Sequence, residues 1–126
     1  MAGAPQIAFF ALVCLSAPSQ SDAQSISRES FVRQSEILAF EIGRTFEMGR
    51  QCNVTLDGLS RSAASLLFGP YVPQAEAGQI LTHYDLGVNS SSRAACDQRW
   101  LTDEIRNVNA RMNYYLQTGK GLVLRR

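Results

Sequence analysis

Residues 96–119 read CDQRWLTDEIRNVNARMNYYLQTG, and the fold turns on them. Leu101, Ile105, Val108, Met112 and Tyr115 recur at intervals of 4, 3, 4 and 3 residues. An α-helix turns once in about 3.6 residues, so these five side chains share one apolar stripe. A strand would alternate every second residue, and no such pattern occurs. The stretch predicts a long amphipathic helix from near Arg93 to about Thr118. Gly119 is expected to cap it, and a flexible tail should follow from about residue 119.

Working outward, a second long helix is expected from about Ser27 to Cys52. Ser27 suits its N-cap, and Glu29 lies in the first turn where the helix dipole favours an anion. Phe31, Leu38, Ile42, Phe46 and Gly49 form its apolar stripe, while Glu36, Glu41, Arg44, Glu47 and Arg50 should supply its polar surface. Gly43 and Gly49 weaken a helix by about 1 kcal/mol each relative to alanine, which points to close approach of a neighbour.

Two shorter helices are expected between the long ones. The first runs from about Leu56 to Phe68, capped by Asn53 or Thr55. Leu56, Leu59, Ala63, Leu66 and Leu67 make its stripe, and a left-handed Gly69 before Pro70 should stop it. The other starts near Pro73, carries Ala77, Ile80, Leu81 and Tyr84, and ends at Gly87. Val88 to Ser92 then reads as a polar connector. The fold class expected is all-α: a small bundle of about four helices, two long and two short, stapled by one disulfide.

The staple follows from the cysteines and the N-terminal segment. Ile7 to Leu15 reads IAFFALVCL, an uncharged run too short to span a bilayer, which takes about 20 residues. With small residues at Ser21 and Ala23 it matches a secretory signal peptide cleaved after Ala23, so residues 24–126 form a single mature domain. Cys14 leaves with the leader. Cys52 and Cys96 remain, and an exported protein is expected to join them. One difficulty arises: at about 100° per residue, Cys96 falls about 140° around the helical wheel from Leu101.

Charge excludes some functions. Twelve basic and eleven acidic residues are interspersed, with no basic stripe for nucleic acid. Eleven of the twelve basic residues are arginine, which hints at a GC-rich bacterial source. His83 is the sole histidine. It is a candidate pH-sensing residue, but it has no second histidine with which to hold a metal. Gly58 to Ser62 misses the GxSxG nucleophile pattern at its last position. Asp103-Glu104 reads as a solvated outer face, and Thr118 to Gly121 lacks the frame of a phosphate loop. No metal or cofactor is expected.

Trp100, Arg99, Arg106, Arg111 and Tyr114 combine aromatic and guanidinium groups as binding patches do, and form the candidate contact surface. Asn53 and Asn89 begin N-glycosylation sequons. An exported all-helical domain with one well-separated cysteine pair is similar in organisation to small bacterial periplasmic proteins, acid-stress chaperones among them. The similarity is one of architecture, and no residue role carries over. The expectation is a periplasmic or secreted accessory protein, not an enzyme, that contacts another protein or an envelope component. A periplasmic or acid-stress chaperone is the alternative, followed by an enzyme with a dispersed site. No transmembrane segment is expected after cleavage.

Overall fold

The computed structural model describes residues 27–124. The expected leader and its expected cleavage site lie outside them. The chain divides into two compact units at residue 31. The first contributes the opening turn of the first helix, where Ser27 Oγ accepts the Ser30 N–H at 3.1 Å as an N-cap should. The second unit runs from Val32 onward and holds the rest of that helix and the elements after it.

Four α-helices and no strand occur among the described residues: α1 Arg28–Gln51, α2 Arg61–Phe68, α3 Gln74–Ser91 and α4 Gln98–Leu124. A 3-10 turn, Asp57–Leu59, precedes α2. The all-α reading and the Cys52–Cys96 disulfide both hold, with an S–S distance of 2.02 Å. Cys96 lies ahead of α4, because Asp97 caps that helix by accepting the Trp100 N–H on Oδ1 at 3.0 Å. The wheel angle of Cys96 therefore places no constraint on the bond. In the chain-entropy view, closing this 44-residue separation stabilises the fold by roughly 4 kcal/mol.

α1 and α4 run antiparallel. Contacts between them pair Ser35 with Tyr115, Glu41 with Arg111, Arg44 with Glu104 and Cys52 with Cys96, in reversed order along the two chains. Leu38, Ala39 and Ile42 are buried on α1, and Leu101, Val108 and Tyr115 on α4.

Several boundaries move from their expected places, each for a local reason. Asn53 is no cap of α2. It stands at φ 62°, the one non-glycine residue with positive φ among those described, and closes α1. Asn53 N–H bonds to the Arg50 carbonyl and Val54 N–H to the Gly49 carbonyl, a Schellman arrangement. The α2 cap is Ser60, whose Oγ accepts from Ala63 N–H at 3.2 Å. That shift rotates the helix so that Ala64 and Phe68 are buried, while Leu66, expected on the stripe, is 79% exposed. Gly69 is right-handed, not left-handed.

α3 runs past Gly87 through the expected connector, where Ser90 and Ser92 hydroxyls donate to the Gly87 and Asn89 carbonyls and satisfy the helix end. α4 runs past Gly119 to Leu124, so the opening of the expected tail is helical. Gly119 is needed for space: a Cβ there would lie 2.7 Å from the Tyr71 ring.

α3 crosses α1 on two glycines. A Cβ on Gly43 would meet the Tyr84 carbonyl oxygen at 2.1 Å, and one on Gly87 would meet the Phe40 carbonyl oxygen at 2.0 Å. Each glycine thus sets an α-hydrogen against the facing backbone oxygen, the arrangement of a Cα–H···O contact. Gly43 does the work expected of it. Gly49 instead accommodates the chain's own return at Val54 and Leu56. Tyr84 Oη donates to the Leu59 carbonyl at 2.8 Å and ties α3 to the 3-10 turn.

Gly43→Ala and Gly87→Ala should each destabilise by about 1–3 kcal/mol, since the helices must part to admit the methyl group. Gly78→Ala, with nothing near its added carbon, should stabilise by up to about 1 kcal/mol through helix propensity. Urea denaturation midpoints of the three variants measure the contrast.

Candidate functional site

The α1–α4 interface carries charge where an apolar seam would suffice. Arg44 Nη2 donates to Glu104 Oε2 at 2.6 Å, with the glutamate side chain 8% exposed and the arginine 33%. The same guanidinium lies over two rings, 5.2 Å from the Trp100 centroid and 5.7 Å from that of Phe40. Trp100 and Glu104 stand one turn apart on α4, so both reach Arg44 from one side. This corrects the expectation of a solvated Asp103-Glu104 face: Glu104 is buried and paired, and only Asp103 remains outside. Glu47 is also buried, accepting hydrogen bonds from Arg50 Nη1 and Gln51 Nε2 at 2.7 Å each. Gln51 Nε2 reaches on to the Ser92 carbonyl and joins the ends of α1 and α3.

A turn and a half further from the disulfide, Arg111 Nε lies 2.8 Å from Glu41 Oε1. The contact is ionic and off the hydrogen-bond axis, leaving that oxygen buried without a directed donor. Burial raises the Glu41 carboxyl above its ordinary range; Arg111 opposes the rise, Glu104 adds to it, and Arg44 opposes it more weakly.

Beside this pair, α1 and α4 leave an open groove of about 250 Å³. Leu38 and Tyr115 line it from the core, Ile37 and Tyr114 stand exposed at its borders, and Gln34, Glu41 and Arg111 complete the lining. Tyr115 is held from three sides. Its hydroxyl shares a 2.7 Å hydrogen bond with Ser35 Oγ, and the rings of Phe68 and Tyr71 meet it edge-on at 5.3 and 6.1 Å.

The expected contact patch is divided by this geometry. Arg111 and Tyr114 come together in the groove. Trp100 lies fourteen residues earlier, about 21 Å along the helix axis. There it packs half-buried against Met48, Cys52 and Leu101. Arg99 is exposed, and Arg106 pairs loosely with Asp103 at 3.5 Å on the outer surface. His83 is half-buried on α3, its Nδ1 3.4 Å from the Gln79 carbonyl. Nearby, Arg61 makes two hydrogen bonds to Asp85 and holds that carboxyl below its usual range. Asn53 and Asn89 are both exposed. No group of three or more histidine, cysteine, aspartate or glutamate residues suited to a metal occurs among the described residues. Comparison with protein-family models, curated proteins and solved structures finds no match.

Reading the chain residue by residue misses Glu41, Arg44, Glu104 and Ile37. Arg44 and Glu104 could have been found by pairing, since each lies eight residues from its own cysteine; Glu41 and Arg111, eleven and fifteen residues from theirs, could not.

Arg44→Met leaves Glu104 buried without its cation and should cost about 2–3 kcal/mol. Adding Glu104→Leu should recover much of that loss. The coupling should be about 1–2 kcal/mol in a double-mutant cycle read by urea denaturation. A coupling of zero would show that the pair contributes nothing as a pair.

Burial raises Tyr84 and Tyr115 to about 12. An unfolded tyrosine ionises near 10, so the unfolded chain sheds these protons first as pH rises. Stability is therefore full below about pH 10 and is lost between about 10 and 12, by roughly 2–3 kcal/mol for each ring. Absorbance at ~295 nm should show two phenols ionising late, together with unfolding; Tyr115→Phe should remove one of them.

Proposed function

We propose that this protein is an exported, non-catalytic accessory protein that binds another protein through the groove between α1 and α4. One observation carries the reading. Exposed Ile37 and Tyr114 flank a concave apolar floor, next to a guanidinium, on two helices tied together covalently. Aromatic and arginine side chains around an apolar depression are the usual composition of a protein-binding hot spot.

The charges define the partner. Arg111 is 48% exposed and Glu41 only 16%, so the groove presents its cation to solvent and keeps the anion beneath. The complementary surface is an apolar side chain flanked by a carboxylate. A displayed segment of another protein, not a nucleic acid, supplies both.

Export is supported by the Cys52–Cys96 bond, which persists in oxidising compartments. The Ile7 to Leu15 run and the small residues before Gln24 point the same way. Among the described residues no helix is long and apolar enough to cross a membrane. A periplasmic or secreted location in a bacterium fits these features.

Immobilised protein should retain the partner from a native extract. Tyr114→Ser should reduce retention by about tenfold with helix content unchanged by circular dichroism. Leu66→Ser, a still more exposed apolar site outside the groove, should retain it fully. Equal retention by the wild type and Tyr114→Ser would remove the groove from the reading.

A further inference from the structure

The two ends of the disulfide differ in access. Cys52 is 8% exposed and packs with Met48 and Leu101, while Leu56, Ala94 and Trp100 close around that cluster. Cys96 is exposed, in the non-helical stretch ahead of α4. The bond therefore runs from a buried residue to a solvent-facing one. In thiol–disulfide exchange a thiolate attacks one sulfur and expels the other, and the rate depends on which sulfur can be reached. The attacker and the leaving sulfur lie on opposite sides of the sulfur attacked. Attack on Cys96 comes from solvent and expels Cys52 inward. Attack on Cys52 would have to enter through the Met48–Leu101 packing.

The helix ends act differently on the two directions of exchange. Cys96 directly precedes Asp97, the cap at the positive end of α4, and the Asp97 carboxylate is engaged with the Trp100 N–H. Cys52 lies at the negative end of α1, in apolar surroundings. A thiolate is favoured at the first position and disfavoured at the second, which makes Cys96 the better entering nucleophile in oxidation; in reduction it makes Cys52 the poorer leaving group, so access alone directs attack to Cys96.

We propose that Cys96 is the sulfur through which a dithiol–disulfide exchange protein makes and breaks this bond, with Cys52 as the internal resolving thiol. In reduction, a partner thiolate attacks Cys96 Sγ. The Cys52–Cys96 bond breaks, and Cys52 leaves as a thiolate that takes a proton from water. The partner's second thiol, losing its proton, then attacks the partner sulfur of the mixed disulfide and releases Cys96. The partner ends oxidised to its own disulfide, and this protein has gained two electrons and two protons. Oxidation runs the same steps in reverse: Cys96 first joins an oxidised partner, and Cys52 then displaces it.

The full-length disulfide form can be treated briefly with limiting reduced glutathione, quenched in acid, alkylated and mapped by mass spectrometry. Glutathione should be found on Cys96 and the alkyl group on Cys52, with at least about a tenfold preference. Cys52→Ser and Cys96→Ser provide an independent measurement. The Cys96 thiol should react with an aromatic disulfide reagent at least about tenfold faster than the Cys52 thiol. In guanidinium chloride both preferences should vanish, because the first arises from access and the second from access and helix ends, all of which unfolding removes. Equal labelling in the folded protein, preference for Cys52, or a bias that survives unfolding would each overturn the assignment.

Discussion

The Cys52–Cys96 bond ties the end of α1 to the start of α4, and the contact nearest to it follows from counting away from it. Arg44 lies eight residues before Cys52 and Glu104 eight after Cys96, so the two meet about 12 Å from the disulfide. Glu41 and Arg111 meet about a turn and a half further on. Ser35 and Tyr115 close the series. One covalent constraint thus brings together three polar pairs from distant parts of the chain. Slipping one helix by a residue would turn Arg44 away from a carboxylate that has little access to water.

That register explains why charges occur in an interface that apolar residues could fill. A buried ion pair is weak support for stability, because desolvation offsets much of its attraction. It is costly to break, however, and so disfavours alternative alignments of two amphipathic helices. Arg44 serves this purpose with its whole side chain, since its guanidinium stacks on Trp100 and Phe40 while it reaches Glu104. The groove is a product of the same alignment. Where Glu41 and Arg111 replace apolar packing, the helices leave a depression bordered by Ile37 and Tyr114.

The remaining helices cover this pair by two different means. α3 reaches α1 through backbone contact at Gly43 and Gly87, where absence of a side chain on each helix admits a carbonyl of the other. α2 and the chain after it use aromatic rings, with Phe68 and Tyr71 set against Tyr115 and Tyr71 lying over Gly119. The first mode fixes a crossing point with little area. The second covers apolar surface near the groove, so Tyr115 links the core to the candidate binding surface.

Helix content, the two long amphipathic stripes and the cysteine pairing were legible in the residues themselves, because periodicity and composition are local properties that packing preserves. Leu101, Val108 and Tyr115 are buried as their spacing requires, and Ser27 caps α1 as its position suggests. Arg111 and Tyr114 were marked as candidates from residue type alone. The partners they acquire were not, since Ile37 and Glu41 lie about seventy residues away in the chain. Helix ends were decided by tertiary contact: Gly87 and Gly119 read as stops in isolation, yet become helix interior where a neighbour lies too close for a Cβ. Burial of Glu104 was decided there too, because its cation, Arg44, comes from sixty residues away and no local pattern records that meeting.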